Sequence, residues 1–344
     1  MASQPPPESI ILGRFSGIKN TTTPESLTGA DFERATNVDL DDAGQARRRR
    51  GYTLKNGAAH HSLITIANKT LVVRDGALGL LRPDYSFLSL MQVGPAPVAY
   101  TDVGDDIYFS ADGGSGVITA ANALLPWGAT SGQGEWLSPV RTPTATLGAV
   151  AGQLLGDPLT ATTLSTYNGR IYLGHDRTLW GTELYRYHYV DRTKNFMQFE
   201  SAITLQMAMT DGIYVGTEGG LFFMQGSLGS FQLQMVSSAA VIPGSGVWTT
   251  AERVHPQART GVVPVGRAAV FMTSEGVIAG MDGGNCFNLT ADRVEFPRAQ
   301  TAATLLRHDQ GATSLVATLD SGGSPGSGAR MGDYVEAEIR RFGG

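Results

Sequence analysis

Sulfur chemistry is almost missing from this chain of 344 residues, which has a single cysteine, Cys286. One thiol cannot close a disulfide within the chain. Zinc sites built from four cysteines, or from two cysteines and two histidines, are excluded with it. Charge is scarce as well: Asp, Glu, Lys and Arg make up 17% of the residues, against about 25% in an ordinary soluble domain. A helical bundle would need more Lys, Glu, Arg and Leu. The net charge of −5 supplies no overall basic footprint for a polyanion. No run approaches ~18 apolar residues, so no membrane span is expected. The opening Met1-Ala2-Ser3-Gln4-Pro5-Pro6-Pro7-Glu8 lacks a basic stretch followed by an apolar one. It reads as no secretory signal, and synthesis in a reducing cytoplasm is expected.

What is abundant is glycine, 44 residues, beside 16 prolines and 42% hydrophobic positions. Turns that need a positive φ favour glycine, so this balance suits many short strands joined by tight turns. The length and apolar share can close a sizeable core, as one repeat-built domain or as two domains.

A theme recurs beyond Tyr52: a turn residue, an apolar triplet, a polar Gly/Asp turn, then Leu or Val. Its copies are Asn68 to Leu78, Gly104 to Gly114, Asn168 to Leu179, Asp211 to Leu221 and Gly266 to Val277. The triplets begin at residues 71, 107, 171, 213 and 269, giving spacings of 36, 64, 42 and 56. A propeller blade of four short strands takes about 40–50 residues. Longer spacings imply insertions, the plainest being the Gly-, Thr- and Pro-rich stretch from Gly128 to Leu164. A lone blade leaves both sheet faces bare, whereas ring closure covers them. The pattern predicts an all-β fold, a β-propeller of about five or six blades with an N-terminal arm and hairpin. Leu315 to Leu319 and a terminal strand would complete a sixth blade. A sandwich of Gly-rich hairpins would read similarly.

The first 52 residues differ from the rest. Ile10-Ile11-Leu12 reads as a strand, and Pro24 to Ala35 as a helical turn or two with Pro24 near the first position. Residues 37–52 read as a hairpin turning at Asp42-Ala43-Gly44. Arg47-Arg48-Arg49-Arg50 is the strongest charge run. Asp39, Asp41 and Asp42 lie just across the hairpin, where opposite charges pair. Alternate arginines face opposite sides of a strand. This suits ion pairing on one side and subunit contacts, or passing contact with DNA, on the other.

Other motifs fail on chemistry. Gly322-Gly323-Ser324-Pro325-Gly326 fits G-x-S-x-G, yet it sits in a Gly/Ser linker composition with no histidine after it. Asp39 to Gly44 begins like a calcium loop but has Ala43 at position five and Arg50 at position twelve. His60 and His61 are neighbours on a strand and cannot chelate one ion. His175, His188, His255 and His308 show no ligand spacing. Tyr185, Tyr187 and Tyr189 alternate, which puts three rings on one strand face, to stack a sugar or to pack against a blade. No catalytic residue, metal site or cofactor is expected.

Gly13-Arg14-Phe15-Ser16-Gly17-Ile18-Lys19-Asn20, Pro24, Leu27, Ala35 to Leu40, Gly44 and Arg49-Arg50-Gly51-Tyr52 together resemble the opening of a group of bacteriophage tail proteins. That group is the tail nozzle, or tail-tubular and head-completion, family of short-tailed phages. The likeness is strong over about 45 residues, and Tyr334 to Arg340 is similar to the ends of such chains. Two features depart from the pattern: Lys19-Asn20 replaces a lone asparagine after Ile18, and the chain is short for a nozzle subunit.

The resemblance implies a non-enzymatic virion component, a ring-forming subunit of the tail nozzle or head-to-tail DNA conduit. Such a protein is made in the host cytoplasm and resides in the tail. Implied partners are further copies of the chain, adaptor, tube, fibre or tape-measure proteins, and viral DNA in passage. The alternatives are a tail-tip or baseplate protein of a long-tailed phage, or a propeller that binds a glycan or receptor. Residues 1–52 are expected to form an assembly arm, 53–320 the propeller, and 321–344 a Gly/Ser loop with a closing strand. The expected subunit interface is Phe15, Ile18, Arg47, Arg48, Arg49 and Arg50.

Overall fold

The computed structural model describes residues 15, 17–35, 38–40, 45–49, 51, 53–128, 155–156, 160–191, 194–254, 265–291, 293–294, 299–309 and 312–320. Ile10 to Leu12, Arg50, Gly322 to Gly326, the expected closing strand at 334–341 and most of the 128–164 insertion lie outside these residues.

The fold is all-β. Short strands β1 (Gly17–Ile18), β2 (Asp31–Phe32), β3 (Val38–Leu40) and β4 (Ala46–Arg48) form the N-terminal arm. The first blade is β5 (His60–Ile66), β6 (Lys69–Arg74), β7 (Ala77–Leu81) and β8 (Phe87–Gln92). The second is β9 (Ala99–Val103), β10 (Asp106–Ala111), β11 (Gly114–Ile118) and β12 (Leu124–Pro126). The third runs from β13 (Leu155–Gly156) through β14 (Thr163–Tyr167), β15 (Arg170–His175), β16 (Thr178–Glu183) and β17 (Arg186–Asp191) to β18 (Phe196–Gln198). The fourth is β19 (Ile203–Ala208), β20 (Gly212–Thr217), β21 (Gly220–Gln225) and β22 (Gln232–Ser237). The fifth is β23 (Val247–Thr250), β24 (Arg267–Thr273), β25 (Gly276–Gly280) and β26 (Cys286–Asn288). Finally come β27 (Thr301–Asp309) and β28 (Ala312–Asp320).

Each blade is an antiparallel meander in chain order, the third carrying extra strands, and together they make a five-blade β-propeller arrangement. The five apolar triplets all fall on the second strand of a four-strand meander, counted from β14 in the third blade: β6, β10, β15, β20 and β24. The turn after each triplet leads into the third strand, so every copy of the theme is a blade's central hairpin. These strands are buried on both faces, which explains continuous apolar triplets where alternation would mark a half-exposed strand. Asn168-Gly169 turns between β14 and β15 with both residues at positive φ, +46° and +68°, the geometry of a two-residue hairpin loop. Among the described residues there is no sixth four-stranded blade, and the terminal strand expected to complete one lies outside them. Leu315 to Leu319 belongs to β28, which pairs with β27 alone among the described residues.

Packing divides the chain into two compact units, one of residues 53–243 and 281–285, the other of residues 1–52, 244–280 and 286–344. In the first unit, neighbouring blades seal one another's faces. Leu71, Val73 and Leu78 of the first blade pack with Ile107, Phe109 and Ile118 of the second. Tyr108 and Val117 meet Ile171, Leu173 and Val190 across the next boundary. Tyr172 and Leu179 meet Ile213, Val215 and Met224 across the third. Each such side chain contributes about 1.5–3 kcal/mol by leaving water. Burial pushes the Tyr172 phenol up to about 12.

Polar links cross the same boundaries. The Ala161 N–H donates to Ser110 Oγ at 2.8 Å, and Trp127 Nε1 donates to the Tyr187 carbonyl at 2.7 Å. The Ser165 hydroxyl donates to Gln206 Oε1 at 2.8 Å, while Gln206 Nε2 donates to Thr163 Oγ1 at 2.7 Å. Residues 281–285 are held on the fourth blade by the Tyr214 hydroxyl, which donates to the Met281 carbonyl at 2.6 Å. The Asp211 carboxylate accepts from the Gly283 N–H at 2.9 Å, and Asp282 accepts from the Thr210 N–H at 3.0 Å. Buried polar groups left unpaired would destabilise the fold, so these pairs fix which blade faces which.

In the second unit the fifth blade joins the arm and the β27–β28 hairpin. Ser245 Oγ accepts from the Met272 N–H at 3.0 Å, and the Thr304 hydroxyl donates to the Ser245 carbonyl at 2.8 Å. The segment Pro24–Ser26 is one turn of 3₁₀ helix with Pro at its start, shorter than the two turns the sequence allows.

Candidate subunit interface

The arm is assembled from the residues its sequence makes conspicuous. β1 and β2 pair in parallel, setting Ile18 opposite Phe32. Phe15 stacks on Phe32 with ring centroids 4.4 Å apart. Phe15 and Ile18 are half-buried. Asp31 accepts from Thr28 Oγ1 at 2.7 Å and from Arg293 Nη2 at 3.1 Å, while the Asn20 N–H donates to the Arg293 carbonyl. One arginine thereby grips two points of the arm.

The β3–β4 hairpin sets Val38 opposite Arg48, Asp39 opposite Arg47 and Leu40 opposite Ala46. Leu40 is buried and anchors the hairpin. Asp39 collects two guanidinium groups, Arg49 Nε at 2.8 Å and Arg307 Nη2 at 3.0 Å. All three side chains are at most one-fifth exposed, which shields the contacts from water. Partial burial alone would raise the Asp39 pKa, but the hydrogen bonds and charges of Arg49 and Arg307 outweigh it and hold the carboxyl below its ordinary value.

The structure thus separates the four arginines. Arg49 is used inside the unit, Arg47 and Arg48 stand exposed on β4, and Arg50 lies outside the described residues. Arg47 and Arg48 point to opposite sides of a short strand. Arg293 and Arg307, more than 250 residues from their partners, carry no local sequence signal. Their roles come entirely from the return of the chain.

The other sequence candidates resolve differently. Tyr185 is not on a strand with Tyr187 and Tyr189. It sits in the turn before β17 at φ +56° and is 63% exposed. Tyr187 packs against Tyr108 with ring centroids 5.9 Å apart, and Tyr189 is buried. The expected face of three rings does not exist. The pairing of β16 and β17 shifts register at Thr182/Glu183, which breaks the alternation. The His60 Nδ1 contacts the Ala58 carbonyl, and His61 Nδ1 contacts Ser62 Oγ. His188 is buried, with Nδ1 accepting from the Gly128 N–H at 3.2 Å. Among the described residues no three His, Cys, Asp or Glu side chains gather as a metal site would need, and no helix is long and apolar enough to cross a membrane.

No protein-family model matches the chain, and no curated protein sequence matches it. Similar solved structures include the extracellular domain of BT4673 from B. thetaiotaomicron, 13% identical with a TM-score of 0.47. That match covers 88% of this chain, which spans only 37% of the BT4673 chain. The N-terminal domain of Nup159 is 10% identical with a TM-score of 0.43, over 76% of this chain and 73% of its own. The WD40 domain of Pan2 from Neurospora crassa is 9% identical with a TM-score of 0.43, over 75% and 71%.

Proposed function

We propose that this chain is a structural subunit of a bacteriophage tail, forming a ring at the tail nozzle or the head-to-tail DNA conduit, with no catalytic role. The observation that carries the proposal is a coincidence of residues. Phe15, Ile18, Asp39 and Arg49, which carry the resemblance to phage tail proteins, are those that build the arm through the Phe15–Phe32 stack and the Asp39–Arg49 pair. An arm built this way presents Arg48 outward, where it can meet acidic groups of a neighbour. A subunit of net charge −5 repels DNA on average, which suits sliding contact over tight binding. Disruption of the gene in the phage that carries it tests the reading. The expected result is tailless or DNA-leaking particles; full-tailed particles that retain their DNA would overturn it.

A second reading, a propeller that binds a glycan or receptor, rests on Tyr85 and Tyr185. Both are turn residues at positive φ, between β7 and β8 and between β16 and β17, exposed by 59% and 63%. Rings held out in such turns could stack on a sugar. Binding on a glycan array that is lost in the Tyr85→Ala and Tyr185→Ala variants would favour it; an array without signal would dismiss it.

A further inference from the structure

The outer strand of each blade ends its sheet, and an open edge is a template for pairing with another chain unless something blunts it. Three outer strands are blunted by length: β12, β18 and β26 have three residues each, and β12 also contains Pro126. β8 is as long as β22 and as free of charge and proline, but its Phe87, Leu90 and Met91 are half-buried, with Leu90 and Met91 packed against the core. β22, Gln232-Leu233-Gln234-Met235-Val236-Ser237, has neither charge nor proline and spans six residues. Its first four residues are all exposed, Leu233 by 45% and Met235 by 57%. Val236 is an extra residue between the Met235–Phe222 and Ser237–Leu221 pairs, which leaves Gln232 to Met235 as the regular run. Phe231, two residues before Leu233, lies against Tyr172 with ring centroids 5.7 Å apart. Leu233 and Met235 continue that side of the strand into solvent. Among the described residues no strand pairs with the outer side of β22.

We infer that this edge accepts residues 334–341 of a second copy of the chain as an added strand. The 24 residues after Asp320 open with Ser321-Gly322-Gly323-Ser324-Pro325-Gly326-Ser327-Gly328, a linker composition. They continue to Tyr334-Val335-Glu336-Ala337-Glu338-Ile339-Arg340-Arg341. In a strand, Val335, Ala337 and Ile339 share one side, matching Leu233 and Met235. Glu336, Glu338 and Arg340 share the other, matching Gln232 and Gln234, whose amides both donate and accept. Backbone hydrogen bonds supply the attachment and the alternating side chains supply the register, as in strand addition generally. The stretch between Asp320 and Tyr334 reaches at most about 50 Å when extended. A copy that gives one strand and receives one makes a heterologous contact, which closes into a ring when its rotation allows. The inference concerns assembly of the purified protein, so its failure leaves the tail assignment standing.

Disulfide trapping in the full-length chain is the test. In a Cys286→Ser background, Met235→Cys is combined with Ile339→Cys, and the protein is oxidised and run on a non-reducing gel. A ladder of covalent dimers and larger species, absent from either single-cysteine variant, is expected. Three results overturn the inference: no disulfide, closure within a monomer, or dimers already formed by Met235→Cys alone. In parallel, light scattering should find Leu233→Lys and Ile339→Pro shifted to monomer, with circular dichroism unchanged. Persistence of the wild-type oligomer in both, or a wild-type protein that is itself monomeric, would also overturn it.

Discussion

Replacing Asp39 by Asn removes the charge that two arginines share while keeping the side chain's size. The carboxylate receives Arg49 at 2.8 Å and Arg307 at 3.0 Å, and no partner is more than one-fifth exposed. Fully exposed pairs stabilise by about 0–1 kcal/mol, and breaking a fully buried one costs about 3–5 kcal/mol. Asp39 lies between these limits, so a local loss of about 1–2 kcal/mol is expected. That includes the repulsion of two guanidinium groups left facing a neutral amide. The chain packs as two units, so a single global melting curve would blur the effect. Hydrogen exchange of the β3, β4 and β27 amides reads it directly: 1–2 kcal/mol is about a 5- to 30-fold rise in local opening. The pH dependence has a definite sign. The folded-state pKa of Asp39 is lowered below its ordinary 3.8. Its contribution is therefore complete above the unfolded value and lost as pH falls through the lower folded value. Wild-type protection of the hairpin should hold from pH 7 to about pH 5 and decline below about pH 4, whereas Asp39→Asn should lack that decline. Equal exchange rates in the two proteins at pH 7, or equal acid declines, would refute the clasp.

Three further substitutions probe the blade boundaries and turns. Gln206→Leu removes the links to Ser165 and Thr163 and leaves the Ser165 hydroxyl buried without its acceptor, which should destabilise by about 1–3 kcal/mol in urea unfolding. Tyr214→Phe deletes the donor to Met281 and Asn285. It should cost about 1–2 kcal/mol and speed proteolysis within residues 281–285, so an unchanged cleavage rate would count against that anchor. Gly169→Ala places a Cβ 2.6 Å from the Tyr185 ring at φ +68°, at a cost of at least about 1 kcal/mol from the left-handed backbone. Adding Tyr185→Ala should recover the steric part in a double-mutant cycle.

Much of the architecture was legible because blade centres must be apolar on both faces. Leu71, Ile107, Ile171, Ile213 and Ala269 begin triplets that the spacing marked as repeats, and each lies on a second strand. The blade number was not legible to better than five or six. Leu315, Ala317 and Leu319 show the alternation of a blade strand, and only the structure shows that among the described residues they pair with β27 alone. At the arm, Asp39 and Arg49 are ten residues apart and their pairing follows from hairpin geometry. The grips of Arg307 on Asp39 and Arg293 on Asp31 depend on tertiary return, which no local pattern encodes. Tyr185 misled because strand alternation assumes an unbroken strand. The turn there has no glycine of its own; its tyrosine takes the positive φ and covers Gly169 instead.

Mass spectrometry of purified phage particles tests the structural role most directly. A tail subunit is expected in the particles at a fixed number of copies per portal ring, released only when tails are dissociated. Particles with complete tails that contain none of it, while the protein stays in the unassembled fraction of the lysate, would rule out a role as a tail subunit.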